Sequence, residues 1–233
     1  MTPPPLLPLQ PDGTHAVLLD GRPIRTPARR PLLLPSHLLA AAVAAEWAAQ
    51  PPSRVRPFTM PLMSLAAMAL DQPKPAGAVV DGLLRYLDTD SAAVRAPAGA
   101  GPLADAQAAA FDPVLAWAEG RFGTPFATSA AITGAPQPPT ASAAVRAHLA
   151  SLSPWRLAPV AALAGAAKSV LVAVAVEGGG LSAGEALALA RLEERLQSEE
   201  WGVVEGGHDV DEAASAVAVL GPAAFLRLLE CGE

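Results

Sequence analysis

The sequence has few of the residues that usually cross-link a fold, fill its core with rings or perform catalysis. Cys231 is its single cysteine, which excludes a disulfide within the chain, and only 4% of the 233 residues are aromatic. The sequence contains no Walker-type phosphate loop, no dinucleotide-binding glycine fingerprint and no G-x-S-x-G motif. These absences argue against the common nucleotide-binding and serine-hydrolase classes, and no cofactor is expected.

Positive charge is also scarce. The chain has 16 Lys and Arg against 22 Asp and Glu, a net charge of −6 and a pI near 5.2. Such a chain is unsuited to nucleic acid, so none is expected as a partner, whereas a basic protein surface is compatible. The first basic residue is Arg22, so neither a signal peptide nor an arginine-rich transit peptide is predicted.

No apolar run is long enough to predict a membrane span. The longest, residues 160–176, holds about 17 residues and includes Lys168, whereas a span needs about 20 with few charges. The run is predicted to be one buried core helix that the glycines at 178–180 end, and membrane insertion is not expected.

Ala, Leu and Val are abundant, and 52% of the chain is hydrophobic, which favours packed helices. The first 35 residues differ: residues 15–19 and 22–26 flank Asp20-Gly21, a strong hairpin signal, and residues 32–34 predict a further short strand. The predicted fold class is therefore α+β. A small N-terminal antiparallel β domain with one helix is expected at residues 1–55, and a larger all-helical domain at residues 56–233.

A helix is predicted after residue 36. Ser36 is suited to cap its start, and three apolar residues at intervals of four share one face of it: Leu39, Val43 and Trp47. Trp47 is therefore interpreted as packing in the core or between domains. Its neighbour Glu46 points elsewhere on the helix and is expected to be solvated.

Prolines and acidic caps predict two later helix boundaries. Asp112-Pro113 is expected to open a helix that Gly123 closes. Asp211 is expected to cap a last helical region that Gly221-Pro222 interrupts. Both predictions rest on proline's missing N–H, which costs little in the first turn of a helix but disrupts a helix interior.

Seven segments of the chain are distinctive in their order and spacing. They are LLDGRPIRTPARRPLLLPS (18–36), AEWAAQ (45–50), TMPLMSLAAMALD (59–71), YLDTD (86–90), FDPVLAWAEGRFG (111–123), KSVLVAVAV (168–176) and LSAGEALALARLEERLQSEEWGVVEGGHDVD (181–211). This ordered set resembles the ATP12 family, the assembly chaperones of the mitochondrial F1 ATP synthase. The ending WGVVEGGHDVD is similar to the eukaryotic, plant-type branch.

The resemblance implies a chaperone and not an enzyme. Members of the family bind the free α subunit of F1 and hold it soluble until β subunits replace the chaperone. Their fold is an N-terminal antiparallel β domain joined to a helical domain, in agreement with the pattern of the residues. The resemblance also implies the mitochondrial matrix, or the cytoplasm if the chain is bacterial, and a monomer is expected.

One acidic segment carries most of the candidate partner-binding residues. Glu185 matches a family glutamate that the resemblance implicates in function, although Ser182 and Glu185 also form an S-x-x-E capping box. Glu193 and Glu194 are either a solvated helix face or an acidic contact surface that acts on encounter and specificity. Trp201 either meets the partner or locks the end of this helix.

The remaining candidates follow that helix. Asp209 is a candidate partner contact, and with His208 it is interpreted as ordering the turn before the last helix. Glu205, His208 and Asp209 also permit a metal-dependent hydrolase, although one histidine with two acids is a poor zinc pattern and no metal is expected. A helical adaptor with a changed partner is a third reading, because the N-terminal segment and the last helix depart from the family's usual pattern.

Asp88 and Asp90 are close together at the end of a predicted helix. They are interpreted as hydrogen-bonding groups at the helix end and in the following loop. A paired-carboxylate catalytic site is the alternative, but no nucleophile or base accompanies them in the sequence.

Overall fold

A computed structural model describes residues 10, 12–72, 74–202 and 208–230 of the chain. The chain forms two compact units. The first contains residues 1–74, 153–159 and 224–233, and the second contains residues 75–152 and 160–223. The domain boundary predicted between residues 55 and 56 stays a prediction.

The described N-terminal residues contain four short strands: β1 (His15–Ala16), β2 (Leu18–Leu19), β3 (Arg22–Pro23) and β4 (Leu33–Leu34). β1 pairs with β4 and β2 pairs with β3, both antiparallel. Asp20-Gly21 connects β2 to β3 with φ of 50° and 74°, the left-handed values that a two-residue type I′ turn needs. The predicted hairpin and the short strand near residue 33 are therefore confirmed.

The named elements after β4 are all helices, joined by loops. The α-helices are α1 (His37–Ala48), α2 (Pro61–Asp71), α3 (Ala76–Leu87), α4 (Pro102–Phe122), α5 (Pro139–Ser151), α6 (Pro154–Ala167), α7 (Val170–Glu177), α8 (Ala183–Ala190), α9 (Leu192–Trp201) and α10 (His208–Glu230). The predicted α+β class, with antiparallel strands first and helices after them, is confirmed.

α1 begins where its cap predicts. The Ser36 hydroxyl accepts a hydrogen bond from the N–H of Leu39, and Leu39 and Val43 are fully buried. Trp47, one turn further on, is half-buried. Its indole N–H has no hydrogen-bond partner within the described part of the chain.

Glu46 is not solvated, so that expectation is wrong. Its two carboxylate oxygens accept hydrogen bonds of 2.8 Å from the N–H groups of Leu62 and Met63, in the first turn of α2. Burial raises the pKa of Glu46, and these two bonds oppose the change. α2 starts with Pro61 and has no capping side chain of its own, so α1 supplies its cap.

Two predicted helix boundaries at prolines are also wrong. Asp112-Pro113 lies inside α4, and Pro222 lies inside α10, which begins at His208 rather than at Asp211. In both helices the residue four positions before the proline is exposed. Water can therefore bond to the carbonyl that the proline leaves without a partner, which makes an uninterrupted helix tolerable.

The long apolar run is two helices rather than one. α6 ends before Lys168, whose φ of 54° is a left-handed conformation that a continuing helix cannot contain. Ser169 then caps α7 by accepting a hydrogen bond from the N–H of Val172. Seven of the eight residues of α7 are buried, so the prediction of a buried core holds for that half.

Candidate functional site

α8 begins on the capping box that the sequence predicts. The Ser182 hydroxyl accepts a hydrogen bond from the Glu185 N–H (3.2 Å), and the Glu185 carboxylate accepts one from the Ser182 N–H (2.7 Å). Hydrogen bonding to the side chain and N–H of Ser182 lowers the pKa of Glu185. The carboxylate is exposed, so it is open to a basic group of a partner while it caps the helix.

Glu193 and Glu194 lie in the first turn of α9, and each has a partner. Glu193 accepts a 2.7 Å hydrogen bond from the side-chain amide of Gln107, a buried residue of α4. The Glu194 carboxylate lies 3.6 Å from Nε of Arg191 and 3.9 Å from Nζ of Lys168. Glu194 therefore pairs with Arg191, and Glu193 is held by Gln107, so neither glutamate is simply solvated.

A cavity of about 240 Å³ lies beside these glutamates. Buried Phe111 and Leu192 line it together with Lys168, Glu193 and Glu194, which are partly or fully exposed. It combines apolar side chains with charges of both signs. Because pockets for small organic ligands hold about 300–1,000 Å³, this one fits a single side chain of a protein partner better than a cofactor.

An ion pair links the start of α9 to α10. Nη1 of Arg191 lies 2.8 Å from a carboxylate oxygen of Glu212. α9 ends at Trp201, and Gly202 follows with φ 84°, so the predicted end of this helix is confirmed. α9 and the first turns of α10 therefore belong to one corner of the second unit.

The remaining sequence candidates fall on residues that the structure does not describe in full. Glu205 and the side chains of Trp201, His208 and Asp209 lie outside the described part of the chain, so their predicted roles stay predictions. Within residues 12–72, 74–202 and 208–230, no group of three His, Cys, Asp or Glu side chains is arranged to hold a metal ion.

The N-terminal half of α10 leaves an apolar stripe exposed. Val210, Val217 and Leu220 are 67%, 48% and 37% exposed, and Ala213 and Ala214 between them are exposed as well. Their spacing of three and four residues places these side chains on one face of the helix. We call these five residues the α10 stripe.

α10 is therefore apolar on more than the face it buries. By length and composition alone, Val210–Glu230 would suffice to cross a membrane, with a mean hydropathy of 1.5 over the best window, a third of which is buried. The buried third packs inside the protein, as the core helix of any folded protein would. The side chains of the stripe are not buried against the rest of the protein, and apolar side chains that share an exposed face are candidates for a contact with a partner.

Asp90 and Asp88 serve different parts of the fold. Asp90 is fully buried and accepts hydrogen bonds from the N–H groups of Val170 (2.7 Å) and Leu171 (3.1 Å), the first residues of α7. Burial raises the pKa of Asp90 against the effect of these bonds. Asp88 is exposed and accepts a 3.0 Å hydrogen bond from the N–H of Gln137. One carboxylate caps a helix and the other fastens a loop.

Comparison with known proteins supplies the family. The model of the protein family described as "ATP12 chaperone protein" matches residues 7–119 of the chain. The chain is 28% identical to Protein atp12, mitochondrial, of Schizosaccharomyces pombe over 211 residues, 86% of this chain and 72% of that one. It is 30% identical to Protein ATP12, mitochondrial, of Saccharomyces cerevisiae. This alignment has a length of 243 residues and covers 86% of this chain and 74% of that one. The chain belongs to the ATP12 family.

A solved bacterial member has the same fold as this ATP12 protein. The crystal structure of Atp12 from Paracoccus denitrificans is 34% identical, with a TM-score of 0.84 over 97% of this chain and 95% of that one. ATP12 proteins are assembly chaperones of F1 ATP synthase, so this chain is a chaperone and not an enzyme, as the sequence predicts. The metal-dependent hydrolase is thereby ruled out as its function.

Sequence reasoning about this ATP12 protein missed the α10 stripe. The signal was present, because residues 210, 213, 214, 217 and 220 follow helical spacing. It was hidden by the expectation that Asp211 starts the last helix and that Gly221-Pro222 interrupts it. The cavity beside α9 had no comparable signal, because its lining comes from segments far apart in the chain.

Proposed function

We propose that this ATP12 protein binds the free α subunit of F1 and keeps it soluble until β subunits replace the chaperone. The α10 stripe is the observation that carries this proposal. A subunit that is destined for a ring leaves apolar contact surface uncovered before assembly, and such surface aggregates. A chaperone that covers it needs an exposed apolar surface of its own.

The acidic residues near the stripe are proposed to orient the F1 α subunit. Glu185, Glu193 and Glu194 keep exposed or half-exposed carboxylates on α8 and α9, and the cavity beside α9 is suited to one side chain of the client. Apolar contact supplies most of the affinity at such an interface, whereas charge at its edge affects encounter and specificity. We include Trp201 and Asp209 among the proposed contacts, as their sequence context predicts.

The place of action follows from the client. The curated relatives have names that mark them as mitochondrial, and the solved relative is bacterial. We propose that the protein acts where the F1 head is assembled, in the mitochondrial matrix or, in a bacterium, in the cytoplasm. We propose that it acts there as a monomer.

A pull-down with separately purified F1 subunits tests the proposal. The tagged chaperone is expected to retain the α subunit and not the β subunit, and added β subunit is expected to release the α subunit. Retention of β without α, or of neither subunit, would contradict it.

Two matched pairs of variants test the proposed surface. Val217→Glu is expected to weaken binding of the F1 α subunit by about tenfold or more, because it places a charge in the apolar contact. Ile132→Glu is its control, since Ile132 is a fully exposed aliphatic residue on a loop of the same unit. Glu185→Lys is expected to weaken binding, and its control is Asp81→Lys on α3, where a surface pair with Arg146 is lost instead.

The thermal midpoint of each variant separates a contact role from a folding role. All four positions are exposed, so the midpoints are expected to stay close to that of the parent protein. Equal loss of binding in a variant and its control would contradict the proposed surface. A large stability loss in Glu185→Lys would show that capping is the main role of this carboxylate.

A further inference from the structure

The two compact units carry opposite charge. The first contains nine Lys and Arg against six Asp and Glu, so its formal charge is +3 although the whole chain has −6. The second contains seven against sixteen and has a formal charge of −9. Four of the nine basic residues of the first unit lie within residues 22–30, which we call the arginine hairpin: Arg22, Arg25, Arg29 and Arg30.

The arginine hairpin has a fixed backbone. The N–H of Thr26 donates to the carbonyl of Arg30 (2.9 Å), and the N–H of Arg29 donates to the carbonyl of Thr26 (2.8 Å). Asp71, at the end of α2, accepts hydrogen bonds from the Thr26 hydroxyl (2.6 Å) and the N–H of Ala28 (3.1 Å). Asp71 thus holds the backbone of the hairpin in place.

No ion pair neutralises these arginines within the described residues. Arg25 donates to the carbonyl of Arg29 (2.9 Å) and Arg30 donates to the carbonyl of Leu70 (2.6 Å). The guanidinium groups of Arg22 and Arg29 are exposed and bond to no described residue. Four like charges in one hairpin repel one another, and an anionic partner would remove that cost.

Arg29 adds a second observation. Its φ is 64°, a left-handed backbone conformation that is costly for residues other than glycine, asparagine or aspartate. Glycine would relieve this strain at no loss of contact, since the Arg29 side chain bonds to no described residue. Residues held in such conformations cluster at ligand-binding and switch regions of proteins.

We propose that the arginine hairpin binds an acidic segment of the F1 α subunit, through carboxylates that pair with Arg22 and Arg29. This inference rests on the proposed function and adds a second contact of opposite sign. Guanidinium groups bind carboxylates through two parallel N–H···O bonds, which fixes geometry as well as charge. The basic contact at the hairpin is opposite in sign to the acidic contacts proposed on α8 and α9, so a client that carries charge of only one sign satisfies only one of them.

An acidic protein segment fits the hairpin better than a lipid surface or a nucleic acid. Loops that enter a bilayer expose aromatic or large aliphatic side chains, whereas Ile24, the only such residue of the hairpin, is buried. The net charge of −6 of the whole chain also opposes approach to any extended polyanion. A short acidic segment of a protein avoids this repulsion because it presents few charges.

Two double variants with the same charge change test the proposal. Arg22→Gln/Arg29→Gln is expected to weaken binding to immobilised F1 α subunit by about tenfold at low salt and to flatten the salt dependence of the affinity. Arg54→Gln/Arg56→Gln is the matched control, because both arginines are exposed in the same unit and bond through their side chains to no described residue. It is expected to bind like the parent protein.

Arg29→Gly separates a contact from a structural role. It is expected to raise the thermal midpoint, because glycine removes the strain, and still to weaken binding of the F1 α subunit. Unchanged binding in Arg29→Gly and in the hairpin double variant, with normal binding by the parent protein, would overturn the inference and leave the proposed function intact. Failure of the parent protein to bind would overturn both.

Vesicles of phosphatidylglycerol provide the competing probe. The parent protein is expected not to bind them at physiological ionic strength. Vesicle binding that the hairpin double variant abolishes, with binding of the F1 α subunit unaffected, would overturn the inference in favour of a membrane contact. Equal weakening of client binding by both double variants would show general attraction and would also overturn it.

Discussion

α7 and α8 both begin beside a carboxylate, and the two carboxylates have opposite surroundings. Asp90, which caps α7, is fully buried and lies 80 residues earlier in the chain than Val170, to which it bonds. Glu185, which caps α8, is exposed and bonds to Ser182 three residues away. The buried carboxylate is committed to the fold, whereas the exposed one caps its helix and remains free to meet a partner.

The difference lies in what each carboxylate would leave behind. Without Asp90, the buried N–H groups at the start of α7 would have no hydrogen-bond acceptor, because water does not reach them. Without Glu185, the Ser182 N–H turns to solvent at little cost. The comparison predicts large stability effects at the start of α7 and small ones at the start of α8.

The largest effect is expected from Asp90→Ala. It removes the acceptor of three buried N–H groups, those of Ala92, Val170 and Leu171, and should lower the free energy of unfolding by about 3–5 kcal/mol. Chemical denaturation measures this. Asp88→Ala is the control. Because Asp88 is exposed, this substitution should lower the free energy of unfolding by about 1 kcal/mol or less. Similar losses at both positions would contradict the difference between the buried and the exposed carboxylate.

Gly180→Ala, in the joint between the two helices, is expected to have the next largest effect. A Cβ at this position would overlap the indole of Trp117, so the ring or the backbone must move, at a cost of about 1–3 kcal/mol. Gly184→Ala is the control, since a Cβ there meets nothing within 4 Å and alanine favours the helix. Thermal unfolding should show a lower midpoint for the first variant and an equal or higher one for the second.

Ser182→Ala should destabilise the protein by about 1 kcal/mol, because an exposed helix start loses its N-cap. Ser182→Asp keeps an acceptor at the cap and should restore most of the loss. A loss as large as that of Asp90→Ala would show that α8 depends on its cap as strongly as α7 does.

The smallest effect is a pH dependence of opposite sign at the two carboxylates. Burial raises the pKa of Asp90, so the pH-dependent part of its contribution to stability is complete below its ordinary pKa of 3.8 and is lost as pH rises through the folded-state pKa. Hydrogen bonds to Ser182 lower the pKa of Glu185, so its stabilisation is complete above its ordinary value of 4.5 and is lost as pH falls.

Amide variants make this contrast measurable. As pH is lowered toward 4, the parent protein should gain stability relative to Asp90→Asn and lose its advantage over Glu185→Gln. Denaturation series at several pH values give both differences. The same sign for both variants would show that the two caps do not differ in the way described.

The same contrast explains what sequence can predict in this protein. Local signals were sufficient for the Asp20-Gly21 turn, the Ser36 cap and the capping box of α8, because both partners lie within a few residues. The cap of α7 by Asp90 and the cap of α2 by Glu46 join distant segments, and no local pattern reveals them.

Proline was misleading for a related reason. A proline in a helix is tolerated where water reaches the carbonyl four residues earlier, and exposure of that carbonyl depends on tertiary packing. The acidic residues of α9 were recognised from the sequence, whereas the cavity beside them was not. Its walls come from α4, α6, α8 and α9, and only the fold brings them together.

The α10 stripe also has a consequence for the chaperone itself. A protein that exposes an aliphatic helix face when it has no bound partner can be bound by the chaperones and proteases that recognise misfolded chains. Its lifetime in a cell would then follow the supply of the protein that covers the stripe. If the F1 α subunit is that protein, as proposed, production of the chaperone without this client is expected to shorten the lifetime of the chaperone.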